Sequence, residues 1–118
     1  MPGFTIKDGR HFVSYVTGPA HILLGIKFTD RIVEPSLVRR PPIGSCSHEM
    51  LDELKIREAV QEVLAAFRAD GAKIYAEEIL YVENDTPRYD LYRLATYLLT
   101  ARYLEGGDFE AEWRRAPL

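Results

Sequence analysis

KIYAEEILYVENDTPRYDLYRLATYLLTARYLEGG, residues 73–107, reads as a strand, a capped turn and a long apolar helix, and the rest of the chain is best understood as covering it. Thr86-Pro87 offers a hydroxyl acceptor at a helix N-cap and a proline at the first helical position, where a missing N–H costs nothing and φ is already set. Asp85 is a second candidate cap. Gly106-Gly107 supplies residues able to take the left-handed conformation that closes a helix, so the spacing predicts a helix over about 87–105. At roughly 100° per residue, Leu91, Leu94, Ala95, Leu98 and Ala101 form one stripe, the expected buried face. Tyr89, Tyr92, Leu99 and Tyr103 form a shoulder beside it, which widens the apolar arc beyond what one sheet face needs. The surplus is expected to be covered by the C-terminal tail or the first helix, or else to serve as a partner surface or ligand wall.

The 118 residues are enough for one domain with its own core and too few for two. With 47% hydrophobic and 28% charged residues the composition is that of a globular protein, and the net charge of −3 gives no drive toward nucleic acid or an anionic membrane. Arg39-Arg40 is an isolated basic pair, short of the clustered footprint that phosphate-backbone binding needs. One cysteine excludes an intramolecular disulfide, the first ten residues lack a signal-peptide core, and no run reaches membrane-spanning length. A cytoplasmic protein is the resulting expectation.

Toward the N-terminus, Asp8-Gly9 is a strong hairpin signal, because a two-residue type I′ turn needs φ > 0 at both positions. That turn sets Lys7 opposite Arg10, Ile6 opposite His11, Thr5 opposite Phe12 and Phe4 opposite Val13. A second reversal at residues 17–20 sets Val16 opposite His21 and Val13 opposite Leu24. The predicted meander, about 4–7, 10–16 and 21–28, has an inner face of Phe4, Ile6, Val13, Tyr15, Ile22, Leu24, Ile26 and Phe28. Its outer face carries Phe12, Val16 and Leu23 among polar residues, more apolar than a solvated face should be. Residues 29–46 hold three prolines and no helical period, and read as a long loop with at most a short extended piece near Ile32-Val33. A first helix is expected over about 48–70, capped by Ser45 or Ser47, with Ile56, Ala59, Val60, Val63, Leu64 and Phe67 at helical spacing. A fourth strand follows over about 73–83, expected in the middle of the sheet or covered on both sides because its run Ile79-Leu80-Tyr81-Val82 lacks a polar alternate.

The order β-β-β-α-β-α predicts an α+β two-layer sandwich, a mainly antiparallel four-stranded sheet with two helices on one face, formed by residues 1–107. Residues 108–118 are a tail, expected to form one helical turn that docks Phe109 and Trp113.

Chemistry is expected, if anywhere, where the 29–46 loop meets the first helix. There Arg39 and Arg40 would neutralise an anion while Gly44, Ser45 and Ser47 permit close backbone approach to the helix N-terminus. Cys46 with His48 is a weak candidate for a nucleophile and base at the same place. His11 and His21 fall on opposite sheet faces, so no histidine metal site is expected, and no motif implies a cofactor. Glu77, Glu78, Glu83 and Asp85 form an acidic patch suited to a basic protein partner. The first functional expectation is a small binding or assembly protein, a homodimer acting through protein–protein contacts at Phe12, Leu23, Tyr89, Tyr92, Tyr103 and Trp113. The alternative is a small enzyme or anion-ligand binder built on Arg39, Arg40, Cys46 and His48.

Overall fold

The structure, a computed structural model, describes residues 2–17, 20–40, 52–82, 88–107 and 109–111. It is an α+β fold. Strands β1 (Pro2–Lys7), β2 (Arg10–Thr17), β3 (Ala20–Thr29) and β4 (Ser36–Arg40) precede helix α1 (Glu53–Ala69). Strand β5 (Tyr75–Val82), helix α2 (Tyr89–Leu104) and the two-residue β6 (Glu110–Ala111) follow. The sheet runs β4-β5-β3-β2-β1-β6, so it has five strands, with β6 as a short sixth, rather than four.

The hairpin forms as its turn dictates. Asp8 and Gly9 have φ of 53° and 77°, and Lys7, Ile6, Thr5 and Phe4 pair with Arg10, His11, Phe12 and Val13 in that order. The second reversal holds the expected parity, with Val16 opposite His21 and Val13 opposite Leu24. Val13, Ile22, Leu24 and Ile26 are consequently interior, while Phe4, Tyr15 and Phe28 pack at the margin. Both helices cover this one face: Ile56, Ala59, Val60 and Leu64 of α1 and Leu91, Tyr92, Ala95 and Leu99 of α2 join the same core.

The first departure is β4. Residues 36–40 are a strand parallel to β5, with Leu37 opposite Ile79 and Val38 opposite Leu80. The expected long loop is therefore interrupted, and Arg39 and Arg40 stand on an edge strand. Parallel pairing reached across a helix is a non-local event, and five residues are too few to show a period of two. Arg57 of α1 pairs with Glu34, and Pro35 is buried, which holds the approach to β4 against the body. With β4 in place β5 lies between β3 and β4, as its unbroken apolar run requires, and residues 79–82 are all buried.

The second departure is the start of α1. Its N-cap is Asp52, whose carboxylate accepts from the Leu54 amide at 3.0 Å, so the helix begins several residues beyond Ser45 and Ser47. Asp serves well as a cap, since its carboxylate accepts a hydrogen bond and its charge faces the positive helix end. The third is the face that α2 buries. Leu91, Tyr92, Ala95, Thr96, Leu99 and Thr100 point inward, leaving Leu94 40% exposed. The stripe predicted from spacing is thus rotated. Because α2 carries apolar residues on every side, its periodicity cannot choose one. Its N-cap is Arg88; the expected cap Thr86 and first residue Pro87 lie outside the described residues. Its C-terminal end is as predicted, with Gly106 at φ 69°. Residues 110–111 of the tail form β6 beside β1, and Phe109 docks on Phe4 at 6.1 Å between ring centroids, while the rest of the expected helical turn, with Trp113, lies outside the described residues. Among the described residues no helix is long and apolar enough to cross a membrane.

Candidate functional site

Of the expected anion site, Arg39 and Arg40 stand on β4. Gly44, Ser45, Cys46, Ser47 and His48 lie outside the described residues. The N-terminus of α1, where they were placed, is instead furnished from within the fold. Besides its Asp52 cap, the Asp52 amide donates to the Tyr89 hydroxyl at 2.9 Å, and the Tyr81 hydroxyl donates to the Glu53 carboxylate at 3.0 Å. Two carboxylates at this end already complement the dipole that an anion would have used.

The tyrosine shoulder is spent internally as well. Tyr92 is fully buried in the core and offers no surface. Tyr89 ties the two helices together through the hydrogen bond to Asp52. Tyr103 stacks on Phe28 at 4.4 Å and meets the edge of His11 at 4.8 Å. Trp113 lies outside the described residues. His11 sits on the inner face, as its pairing with Ile6 requires, and Phe109 closes over it at 4.6 Å. Its Nδ1 has no hydrogen-bond partner among the described residues, and desolvation by the surrounding rings lowers its pKa below the ordinary histidine value. Among the described residues, no three His, Cys, Asp or Glu side chains gather as a metal site would need.

Two surfaces remain. The first is the outer face of the sheet. Phe12 is only 8% exposed there because its ring lies across Gly25, the residue opposite it on β3; a Cβ added to Gly25 would fall 2.5 Å from that ring. Leu23, also on this face, is half-buried. Charges beside these residues are paired: Glu78 takes Arg10 at 2.6 Å, and Glu77 takes Lys27 at 2.9 Å and Arg31 at 3.2 Å. The hydrogen bond and charge of Lys27 hold the Glu77 carboxyl below its ordinary range. The described half of the acidic patch is therefore neutralised by the chain's own cations, while Glu83 and Asp85 lie outside the described residues. A cleft of about 260 Å³ opens on the same face, floored by Phe12, Val38 and Leu80 and bordered by Lys7, Arg10 and Arg39, with Asp8 at the turn. Arg39 thus does join a basic group over small apolar surface, on the sheet instead of at a helix end. Sequence reading missed this because it did not place β4 in the sheet.

The second surface is the solvent side of α2. Leu94, Tyr97 and Leu104 are 40%, 53% and 44% exposed, with Leu98 and Ala101 half-buried among them. Tyr97 stacks on Phe67 of α1 at 5.6 Å and walls a groove of about 270 Å³ together with Val63 and Ala66. The signal for this surface was present in the sequence as an apolar arc too wide for one sheet; Leu91 and Ala95 are buried as expected, but Leu94, Leu98 and Ala101 turn outward and Tyr92 and Leu99 take the interior.

Comparison with protein families, with characterised proteins and with solved structures finds no match to this chain.

Proposed function

We propose that this chain is a binding and assembly protein that works as a homodimer, its two copies joined through the outer face of α2. The observation that carries the reading is the row Leu94, Tyr97, Leu98, Ala101 and Leu104 left facing outward after the core is complete. Apolar residues on every side of a helix call for cover on every side, and three large apolar side chains exposed within three turns are the mark of an interaction surface.

A second copy fits that row by its own pattern. Two α2 helices crossing antiparallel at the level of residue 99 set Arg93 opposite the partner's Glu105, Leu94 opposite the partner's Leu104 and Tyr97 opposite the partner's Ala101. Each pair recurs by two-fold symmetry, as an isologous interface demands. A ring meets a methyl, and opposite charges close both ends. The matched segment spans about 18 Å of helix at 1.5 Å per residue. Arg93 also holds Glu62 at 3.0 Å, so it is already extended along the rim of the groove beside Tyr97. The remaining outer apolar residues, Val63 and Phe67, widen the contact onto α1.

Sedimentation equilibrium on the pure protein tests the reading. A dimer is expected at protein concentrations on the order of tens of micromolar, with thermal stability that rises with concentration. Tyr97→Glu and Leu94→Glu, both at exposed positions, are each expected to weaken self-association about 30-fold, the scale of losing an interface hot spot, while leaving the far-ultraviolet circular dichroism unchanged. A strictly monomeric wild-type protein would overturn it, as would full dimerisation of the Tyr97→Glu variant.

A further inference from the structure

We infer that His11 is an acid-sensitive latch for the C-terminal tail: a proton taken from solvent onto its ring unseats Phe109 and frees β6 from the edge of β1. The device lies at the β1 edge of the sheet and does not depend on self-association through α2.

The imidazole is enclosed by three other rings. Tyr103 stands 4.8 Å away between centroids, Phe28 5.8 Å and Phe109 4.6 Å, and Nδ1 is buried with no hydrogen-bond partner among the described residues. A neutral imidazole occupies such a place at the cost of one unmade hydrogen bond. An imidazolium carries a donor on each nitrogen, and a charged donor without an acceptor is far more costly to bury. Contact with the ring faces returns only part of that cost. Desolvation accordingly holds the pKa of His11 below the ordinary histidine value.

Among the described residues no neighbouring element brings a carboxylate to this ring. On the His11 face β1 sets Phe4 and Ile6, and β3 sets Ile26 and Phe28, none of them titratable. α2 brings the Tyr103 phenol and Arg102, whose guanidinium lies 4.5 Å from the centroid of Phe4. A cation on that side disfavours a second one. β6 sets Ala111 beside Ile6, while Glu110 is paired with Thr5, a position of the opposite face.

Of the three walls, Phe109 is the one free to give way. Phe28 belongs to a strand paired on both edges, and Tyr103 is stacked on it at 4.4 Å from within α2. By contrast β6 holds to β1 through two residue pairs, where β2 holds the same strand through six. A hinge is already in place: Gly106 has φ of 69°, and the Gly107 amide closes α2 by donating to the Arg102 carbonyl at 2.9 Å. The chain up to Gly107 therefore stays anchored when Phe109 and β6 depart, and water then reaches Nδ1. Linkage makes the coupling reciprocal: a proton that loosens the tail is itself bound more tightly once the tail is gone.

NMR on the ¹⁵N,¹³C-labelled full chain tests the latch, with backbone relaxation at residues 109–111 and the His11 ring followed from about pH 7.5 to about pH 4. Order parameters of Phe109 and Ala111 are expected to fall from about 0.85 to below about 0.6 as the ring titrates, while the amides of Val13, Leu24 and Ile79 keep their positions. In His11→Phe and His11→Gln, which lack the titrating group, the tail is expected to hold its order over the same range. Phe109→Ala, at the half-buried ring of the tail, is expected to raise the His11 midpoint toward about 6.5. A tail ordered throughout the range, a tail mobile already at the neutral end, equal loss in both His11 variants, core amides lost in step with the tail, or a wild-type midpoint in Phe109→Ala would each overturn the latch.

Discussion

The two faces of the sheet are made by the same strands and differ in what covers them. Val13, Leu24, Ile26 and Ile79 lie under two helices with no exposure at all. Across the backbone, one residue away, Phe12, Leu23 and Leu80 have no helix above them among the described residues, and the face protects itself with its own side chains. A ring lies over a glycine, and two glutamates hold three cations. The difference teaches that burial within a sheet does not require a second layer; a large side chain beside a missing one supplies part of it. It also shows why the outer face keeps a cleft: a face shielded piecemeal by individual side chains leaves gaps that a helix would have filled.

The largest expected effect tests the contrast directly. Leu24→Ala removes side-chain volume from a site with no exposure and is expected to cost about 2–5 kcal/mol, whereas Leu23→Ala, its neighbour on the other face, is expected to cost less than about 1 kcal/mol. Urea unfolding of both variants measures the difference, and equal losses would mean that the outer face is covered as fully as the inner one.

A smaller effect examines how the outer face protects itself. Gly25→Ala places a methyl 2.5 Å from the Phe12 ring, so the ring must swing away, at an expected cost of about 1–3 kcal/mol. In the Phe12→Leu background the same change is expected to cost much less, and the double-mutant cycle reads the coupling. Additive losses would show that the ring does not lie on the glycine.

The smallest effect concerns charge. On the outer face the hydrogen bond and charge of Glu77 raise the pKa of Lys27, but His11, on the inner face among Phe28, Tyr103 and Phe109, has its pKa lowered by desolvation. In the folded state it is neutral at a pH where the unfolded chain already binds the proton. Its contribution therefore falls as pH drops below the ordinary histidine value of about 6.5, and is fully lost below the folded pKa. Thermal melts between pH 7 and 5 are expected to show a steeper acid loss for the wild type than for His11→Gln; parallel profiles would mean the rings do not desolvate it.

Much of the architecture was legible because it depends on neighbours in sequence. A turn needing two positive φ values at Asp8-Gly9 specifies every pairing of β1 with β2, and parity carries that register to β3. The end of α2 at Gly106 and the inward set of α1 were legible for the same reason. The candidate site was not. Arg39 was expected beside a helix start, yet it borders a cleft with Lys7 and Arg10, which stand about thirty residues earlier in the chain, and nothing local links them.

What the amino-acid order settled alone is which side chains of the N-terminal ribbon look inward, because the period of two admits only one answer once a turn is pinned. What needed the assembled molecule is the edge strand beside β5 and the side of α2 that faces the sheet. Parallel pairing across a helix draws on hydrogen-bonding groups that every residue carries, and a helix greasy on all sides has no preferred direction of its own. In both cases only the partner makes the choice.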